Sequence, residues 1–140
     1  MATRAILLAE DNPGDVYLVR QALIEHRVDA ELFVAQNGDE WTALLERVGR
    51  DVPRPDLLLM DLNIPRIDGR ELFRCVRAHP LCADVPLVVV SSSDSVKDRV
   101  WTNEFRVARY FRKPSDYDAF LHLGAVIRDL FRGKSAGPTA

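Results

Sequence analysis

Long hydrophobic runs are missing from this chain. No apolar stretch approaches the roughly 20 residues needed to cross a bilayer. The N-terminus, Met1-Ala2-Thr3-Arg4, leads straight into a strand-like run and lacks the apolar stretch and cleavage region of a signal peptide. A cytoplasmic location is therefore expected, with no membrane contact. Cysteine is scarce: Cys75 and Cys82 make neither a disulfide framework nor a zinc site, and read as small buried or half-buried residues in a reducing compartment. An excess of one charge is absent too. Nineteen basic side chains face 21 acidic ones, a formal net charge of -2, which gives no reason to propose nucleic-acid binding. There is no internal repeat and no low-complexity segment. What remains is 140 residues, 47% hydrophobic and 29% charged, the composition and length of one globular domain.

Strand-like and helix-like runs alternate along the chain, the pattern of a parallel α/β sheet. Strands are expected at 5–9, 30–35, 57–61, 87–91 and 109–112. Asn12-Pro13-Gly14-Asp15 opens the first helix: Asn12 can cap, Pro13 suits the first helical position and Asp15 the first turn. Trp41, Leu44, Leu45 and Val48 recur at helical spacing in the second. Residues 49–55, with two prolines, read as a surface loop, and 69–78 as the third helix. Ser95 and Asp98 resemble a capping box, so a fourth helix is expected to run through Trp101 to about Phe105. Ser115 and Asp118 repeat that pattern before the last helix, which carries Phe120, Leu121, Leu123, Ile127, Leu130 and Phe131. Five strands and five helices fit the doubly wound, flavodoxin-like arrangement with strand order 2-1-3-4-5.

The apolar runs end in chemistry. Glu10 and Asp11 follow Ile6-Leu7-Leu8-Ala9, and Asp61 follows Leu57-Leu58-Leu59-Met60. Ser91, Ser92 and Ser93 follow Leu87-Val88-Val89-Val90, and Lys113-Pro114 follows Tyr110-Phe111. In an open parallel sheet these ends share one edge, where such sheets carry their sites. Taken singly, an acid after a strand is more often a cap, a lone lysine is solvated, and three serines make a loop. Taken together, three carboxylates, an amine and a hydroxyl form the set that Mg²⁺-assisted phosphoryl chemistry needs. Unpaired acids repel, so the cluster makes sense around a divalent cation. Asp61 could then attack a phosphoryl group as a carboxylate nucleophile, with Lys113 neutralising charge and Ser91 bonding a phosphoryl oxygen.

These stretches resemble the receiver domain of two-component response regulators. The resemblance rests on Leu7-Leu8-Ala9-Glu10-Asp11-Asn12, on Leu59-Met60-Asp61-Leu62-Asn63-Ile64-Pro65-Arg66-Ile67-Asp68-Gly69, on residues 86–91 and on Lys113-Pro114. It runs from about residue 4 to about 131. It implies that Asp61 accepts phosphate from a histidine kinase. It implies that Asp11 and Asp61 ligate Mg²⁺, with Glu10 helping through water and Asn63 through its backbone carbonyl. Lys113 would bond the phosphoryl group, its bond to Pro114 being cis and refolding partly slow in consequence. Ser91 and Tyr110 look like the family's switch pair. Asn63 and Ser93 look like the positions that tune phosphoryl lifetime. Neither is large or charged, so moderately fast autodephosphorylation is expected.

Residues 1–132 are thus expected to form the receiver and 133–140 a flexible or dimer-contacting tail. With no room for an output domain after residue 131, the chain is expected to stand alone. Its start at Asn12-Pro13-Gly14-Asp15, its 49–55 loop and Asp61-Leu62-Asn63 look most like single-domain regulators paired with phytochrome-type kinases. Arg106, Arg109, Arg112 and Trp101 read either as a solvated edge with a packed tryptophan or as a recognition surface. A two-fold homodimer through the fourth helix, fifth strand, fifth helix and tail is the expected assembly. Receivers often carry Gly-Ala before the tyrosine; here Val107-Ala108-Arg109 stands instead, so the fourth helix loses its usual left-handed cap. Other readings remain: a phosphorelay intermediate, a non-phosphorylated scaffold, or a small Mg²⁺-dependent phosphohydrolase. The last would want an acid two residues after Asp61, where Asn63 stands. A flavodoxin-like cofactor binder would need a phosphate loop where Glu10 and Asp11 would repel phosphate.

Overall fold

The computed structural model describes residues 3–93 and 95–133. Its elements are β1 (Arg4–Ala9), α1 (Pro13–Glu25), β2 (Ala30–Ala35), α2 (Gly38–Arg47), β3 (Leu57–Met60), α3 (Gly69–Ala78), β4 (Leu87–Ser91), α4 (Val96–Asn103), β5 (Arg109–Arg112), α5 (Tyr117–Leu121) and α6 (Leu123–Phe131). The five strands are parallel in the order β2-β1-β3-β4-β5. The predicted fifth helix is present as two segments, α5 and α6, joined at His122.

The unbroken apolar runs have a simple cause. Successive strand side chains point to opposite faces, and helices cover both faces here. Leu7, Ala9, Leu58, Met60, Leu87 and Val89 face one core with residues of α2, α3 and α4. Ile6, Leu8, Leu57, Leu59, Val88 and Val90 face the other with residues of α1, α5 and α6. The helices on that second face meet at Gly124, where a Cβ would run into the Ala22 carbonyl. Among the described residues no helix is long and apolar enough to cross a membrane.

Helix starts follow the side-chain oxygens. Asn12 accepts from the Gly14 and Asp15 amides, and Ser95 from that of Asp98. Ser115 is not the cap of α5. Asp116, one residue later, accepts from the Ala119 amide at 2.9 Å, a role to which aspartate is as well suited as serine. Among the described residues every peptide bond is trans, Lys113–Pro114 included, so the implied cis bond is not present; trans is the form X–Pro bonds ordinarily favour.

The helix α4 ends at Asn103, short of the expected Phe105. The chain then turns with Arg106 in the left-handed region, at φ 59°. An arginine there costs about 1 kcal/mol or more. Two contacts offset it: the Arg106 guanidinium donates to the Ala83 carbonyl at 2.8 Å, and the Arg106 carbonyl accepts from Arg77 at 3.3 Å. Trp101 is packed rather than displayed. It is 8% exposed and meets the rings of Phe73 and Phe105, while Arg70 lies over its face.

Arg77 ties this edge together. Its guanidinium reaches the carbonyls of Cys82, Ala83 and Val85 before β4, and those of Phe105 and Arg106 before β5. Replacing it with methionine keeps the aliphatic stem and strands these acceptors. Arg77→Met is expected to cost about 2–4 kcal/mol in urea unfolding. A loss below about 0.5 kcal/mol, the scatter of ordinary surface substitutions, would show that the contacts carry no stability.

Candidate functional site

The ends of β1, β3, β4 and β5 meet at one edge, as their parallel pairing requires. Glu10 and Asp61 each lie just past their strand, held by backbone bonds from the Glu10 amide to the Ala35 carbonyl and from the Asp61 amide to that of Ala9. The Lys113 amide donates to the Ser91 carbonyl at 2.7 Å, fixing the lysine beside β4. Lys113 Nζ then crosses the edge to three carboxylates: Glu10 Oε1 at 2.7 Å, Asp15 Oδ2 at 2.8 Å and Asp61 Oδ2 at 2.8 Å.

Local bonds orient the two buried acids. The Asn12 amide donates to Glu10 Oε2 at 3.2 Å, and the Asn63 amide to Asp61 Oδ1 at 3.0 Å. Asp11 is exposed, whereas Glu10 and Asp61 are buried. Oxygens of Glu10, Asp11 and Asp61 lie within 4.8 Å of one another. These are hard oxygen donors, one of them open to solvent, and they fit a divalent cation that keeps part of its water shell.

Burial pushes the Glu10 carboxyl up from its ordinary 4.5 to about 7, against the lowering pull of Lys113 and with some help from the Asp61 charge. Lys113 shows the reverse balance. Burial disfavours its charge, but the bonds to Asp15, Asp61 and Glu10 outweigh that and raise its pKa above the ordinary value.

A hydrogen-bonded chain leads from this edge into α4. Ser91 is fully buried, and its Oγ accepts from the Ser93 amide at 3.1 Å. The Tyr110 hydroxyl donates to the Ser93 carbonyl at 2.9 Å. The Ser93 hydroxyl donates to Asp98 Oδ2 at 2.6 Å, and Trp101 Nε1 to Asp98 Oδ1 at 3.1 Å. The Arg99 guanidinium lies 4.4 Å from the centre of the Tyr110 ring.

The profile of the response regulator receiver domain matches residues 6–123. The chain belongs to that family. The receiver is 35% identical over 112 residues to the response regulator Rcp1 of Synechocystis sp., covering 79% of this chain and 76% of Rcp1. It is similar to the phosphorylated cyanobacterial phytochrome response regulator RcpA, with a TM-score of 0.83 and 30% identity over 99% of this chain and 97% of that one. The Mn²⁺-bound form of Rcp1 gives 0.80 and 31%, over 91% and 94%.

The fold thus brings Glu10, Asp11, Asp61 and Lys113 into one cluster, with Ser91, Ser93, Tyr110 and Asn63 around it. Asp15 is the member that sequence reasoning missed, having been assigned only to the first turn of α1. The available signal was its position four residues after Asp11, in a turn that a capped helix directs back toward the strand ends.

The Glu10 shift has a signed consequence. Its folded pKa of about 7 exceeds its ordinary 4.5, so between these values the folded protein holds more proton than the unfolded chain. Its contribution to stability is therefore lost as pH rises through that window. Without divalent cation, wild type should lose melting temperature relative to Glu10→Gln as pH rises from 4.5 to 7. Parallel profiles for the two proteins would remove Glu10 as the titrating group.

Proposed function

We propose that the receiver accepts a phosphoryl group on Asp61 from the phosphohistidine of a sensor kinase, in a Mg²⁺-dependent reaction. One observation carries this reading: a buried carboxylate bonded to a half-buried lysine, in a cluster of acids that could hold a cation. An Asp61 carboxylate oxygen attacks phosphorus as the phosphorus–nitrogen bond to the imidazole breaks, leaving an acyl phosphate and a neutral histidine once a proton is taken up. Glu10, Asp11, Asp61 and the Asn63 backbone carbonyl are the groups that would hold Mg²⁺. When bound, the ion neutralises charge on the transferring oxygens. Lys113 balances the negative charge from the other side, and the Ser91 hydroxyl receives a phosphoryl oxygen.

The Ser91 and Tyr110 pair carries the switch in this reading, through the Ser93 peptide that both touch. Asn63 and Ser93 flank the path of the hydrolytic water and leave it open, so the phosphoryl group is lost without a separate phosphatase. The kinase partner is of the phytochrome type, a reading supported by similarity to Rcp1 and RcpA. In this reading the receiver acts in the cytoplasm and signals by contact, as a homodimer through α4, β5, α5 and α6. Val96 and Val100, four residues apart on α4 and 77% and 60% exposed, give that face apolar surface. Trp101 does not contribute to it. The tail proposed to extend the dimer lies, from residue 134 on, outside the described residues.

Mass spectrometry after addition of acetyl phosphate and Mg²⁺ tests the acceptor. Wild type should gain one labile phosphoryl group, about 80 Da, and Asp61→Asn none. No gain in a folded protein that binds Mg²⁺ would instead favour a scaffold role. Persistence of the phosphoryl group for many hours would contradict the open water path. A monomeric mass by light scattering in both states would remove the dimer.

A further inference from the structure

An ammonium group offers three N–H donors and no acceptor. Lys113 uses all three, on Glu10, Asp15 and Asp61. Resting on the acceptor reading above, these partners differ in fate. Asp61 is the group that reacts: its carboxylate becomes an acyl phosphate, and the N–H it held must turn to a phosphoryl oxygen. Glu10 belongs to the trio of acids whose oxygens could hold a cation. Asp15 lies outside that trio and on another element, the first turn of α1.

We infer that Asp15 is a positioning residue for phosphotransfer, holding one Lys113 N–H fixed while another passes from the Asp61 carboxylate to the phosphoryl group. A lysine stem is flexible and has about 2 kcal/mol of rotamer entropy to lose. With Glu10 and Asp61 alone, both partners of the ammonium would change their electrostatic environment during the reaction. Asp15 supplies a partner that does not. Its own backbone is well held: Pro13 begins α1, Asn12 Oδ1 accepts from the Asp15 amide at 3.3 Å, and the Val16 amide closes the first turn on the Asn12 carbonyl at 3.0 Å.

A simpler role would be a first-turn acid facing the helix dipole. Such a residue needs no partner and gains by staying in water. Asp15 does otherwise. Its side chain is 23% exposed and meets a lysine whose side chain is 11% exposed, delivered from 98 residues away in sequence. Shielding of this kind makes an ion pair stronger and more directional than a surface pair.

The test measures phosphorylation of Asp61 by acetyl phosphate at saturating Mg²⁺, over a range of donor concentrations. Wild type, Asp15→Asn and Asp15→Ala are compared, each also in a Lys113→Met background. Asp15→Ala should lower the maximal rate about tenfold, equivalent to about 1.4 kcal/mol of barrier, with the half-saturating donor concentration little changed. Asp15→Asn keeps an oxygen that accepts the same N–H and should recover most of the rate. With Lys113 replaced, Asp15→Ala should have no further effect, since residues acting through one another are not additive. A thermal melt of each variant separates loss of fold from loss of rate.

An alanine variant at the wild-type rate overturns the inference. So does an asparagine variant as slow as alanine, which would mean that charge rather than the bond matters. An effect of Asp15→Ala that persists undiminished without Lys113 overturns it as well. These outcomes leave Asp61 as the acceptor. Failure of wild type itself to be phosphorylated removes the acceptor reading and this inference with it.

Discussion

One ammonium group makes the functional edge possible. Three carboxylates reach Lys113 Nζ at 2.7–2.8 Å, and two of them are buried. Buried acids without a counter-charge would protonate or force the chain apart. The lysine arrives from β5, the acids from β1, β3 and α1, so their meeting depends on every crossover having placed its strand correctly. The parallel order β2-β1-β3-β4-β5 is what puts these ends side by side. The two cores beneath hold that order, and the edge inherits its geometry from them. The same balance suits a cation, because a single positive charge cannot neutralise four carboxylates when Asp11 is counted with the other three.

The strands were legible because both faces of the sheet are covered. Each run such as Leu57–Met60 is apolar without interruption, as a short strand buried on both faces must be. The site was legible for a related reason: its groups fall at the ends of those runs, where the chain must leave the sheet. Features set by contacts distant in sequence were not legible. Asp15 reads locally as a first-turn acid; its place beside the strand ends could be read from its spacing to Asp11, but its bond to a lysine 98 residues away could not. Ser115 and Asp116 are equally good caps by residue type, and the geometry of the turn after Pro114 chose between them. The end of α4 was obscured because an arginine occupies a left-handed position, tolerated through its bonds to another loop.

Ser93 shows how a small residue can belong to two structures at once. Its amide meets the hydroxyl of Ser91, its carbonyl the hydroxyl of Tyr110, and its own hydroxyl the carboxylate of Asp98. The first two contacts belong to the sheet edge and the third to α4. Asp98 in turn accepts from the indole of Trp101, which packs against Phe73 and Phe105. A change at Ser91 therefore meets a continuous series of directional bonds before it reaches the aromatic core. Directional bonds are exchanged more readily than stretched, which is the behaviour that the proposed switch through Ser91 and Tyr110 would need.

The Arg77 clamp has a mechanical consequence. It gathers the Phe105 and Arg106 carbonyls, immediately beyond α4, against the loop that enters β4. The C-terminal end of α4 is thus pinned at the edge of the sheet remote from the acids, while its first turn is tied through the Ser93 and Asp98 side chains. A rigid rod fixed at one end can move only by swinging. Release of the Ser93–Asp98 bond would leave α4 held only at its Arg77 end, free to pivot with the largest displacement at Val96 and the smallest near Asn103.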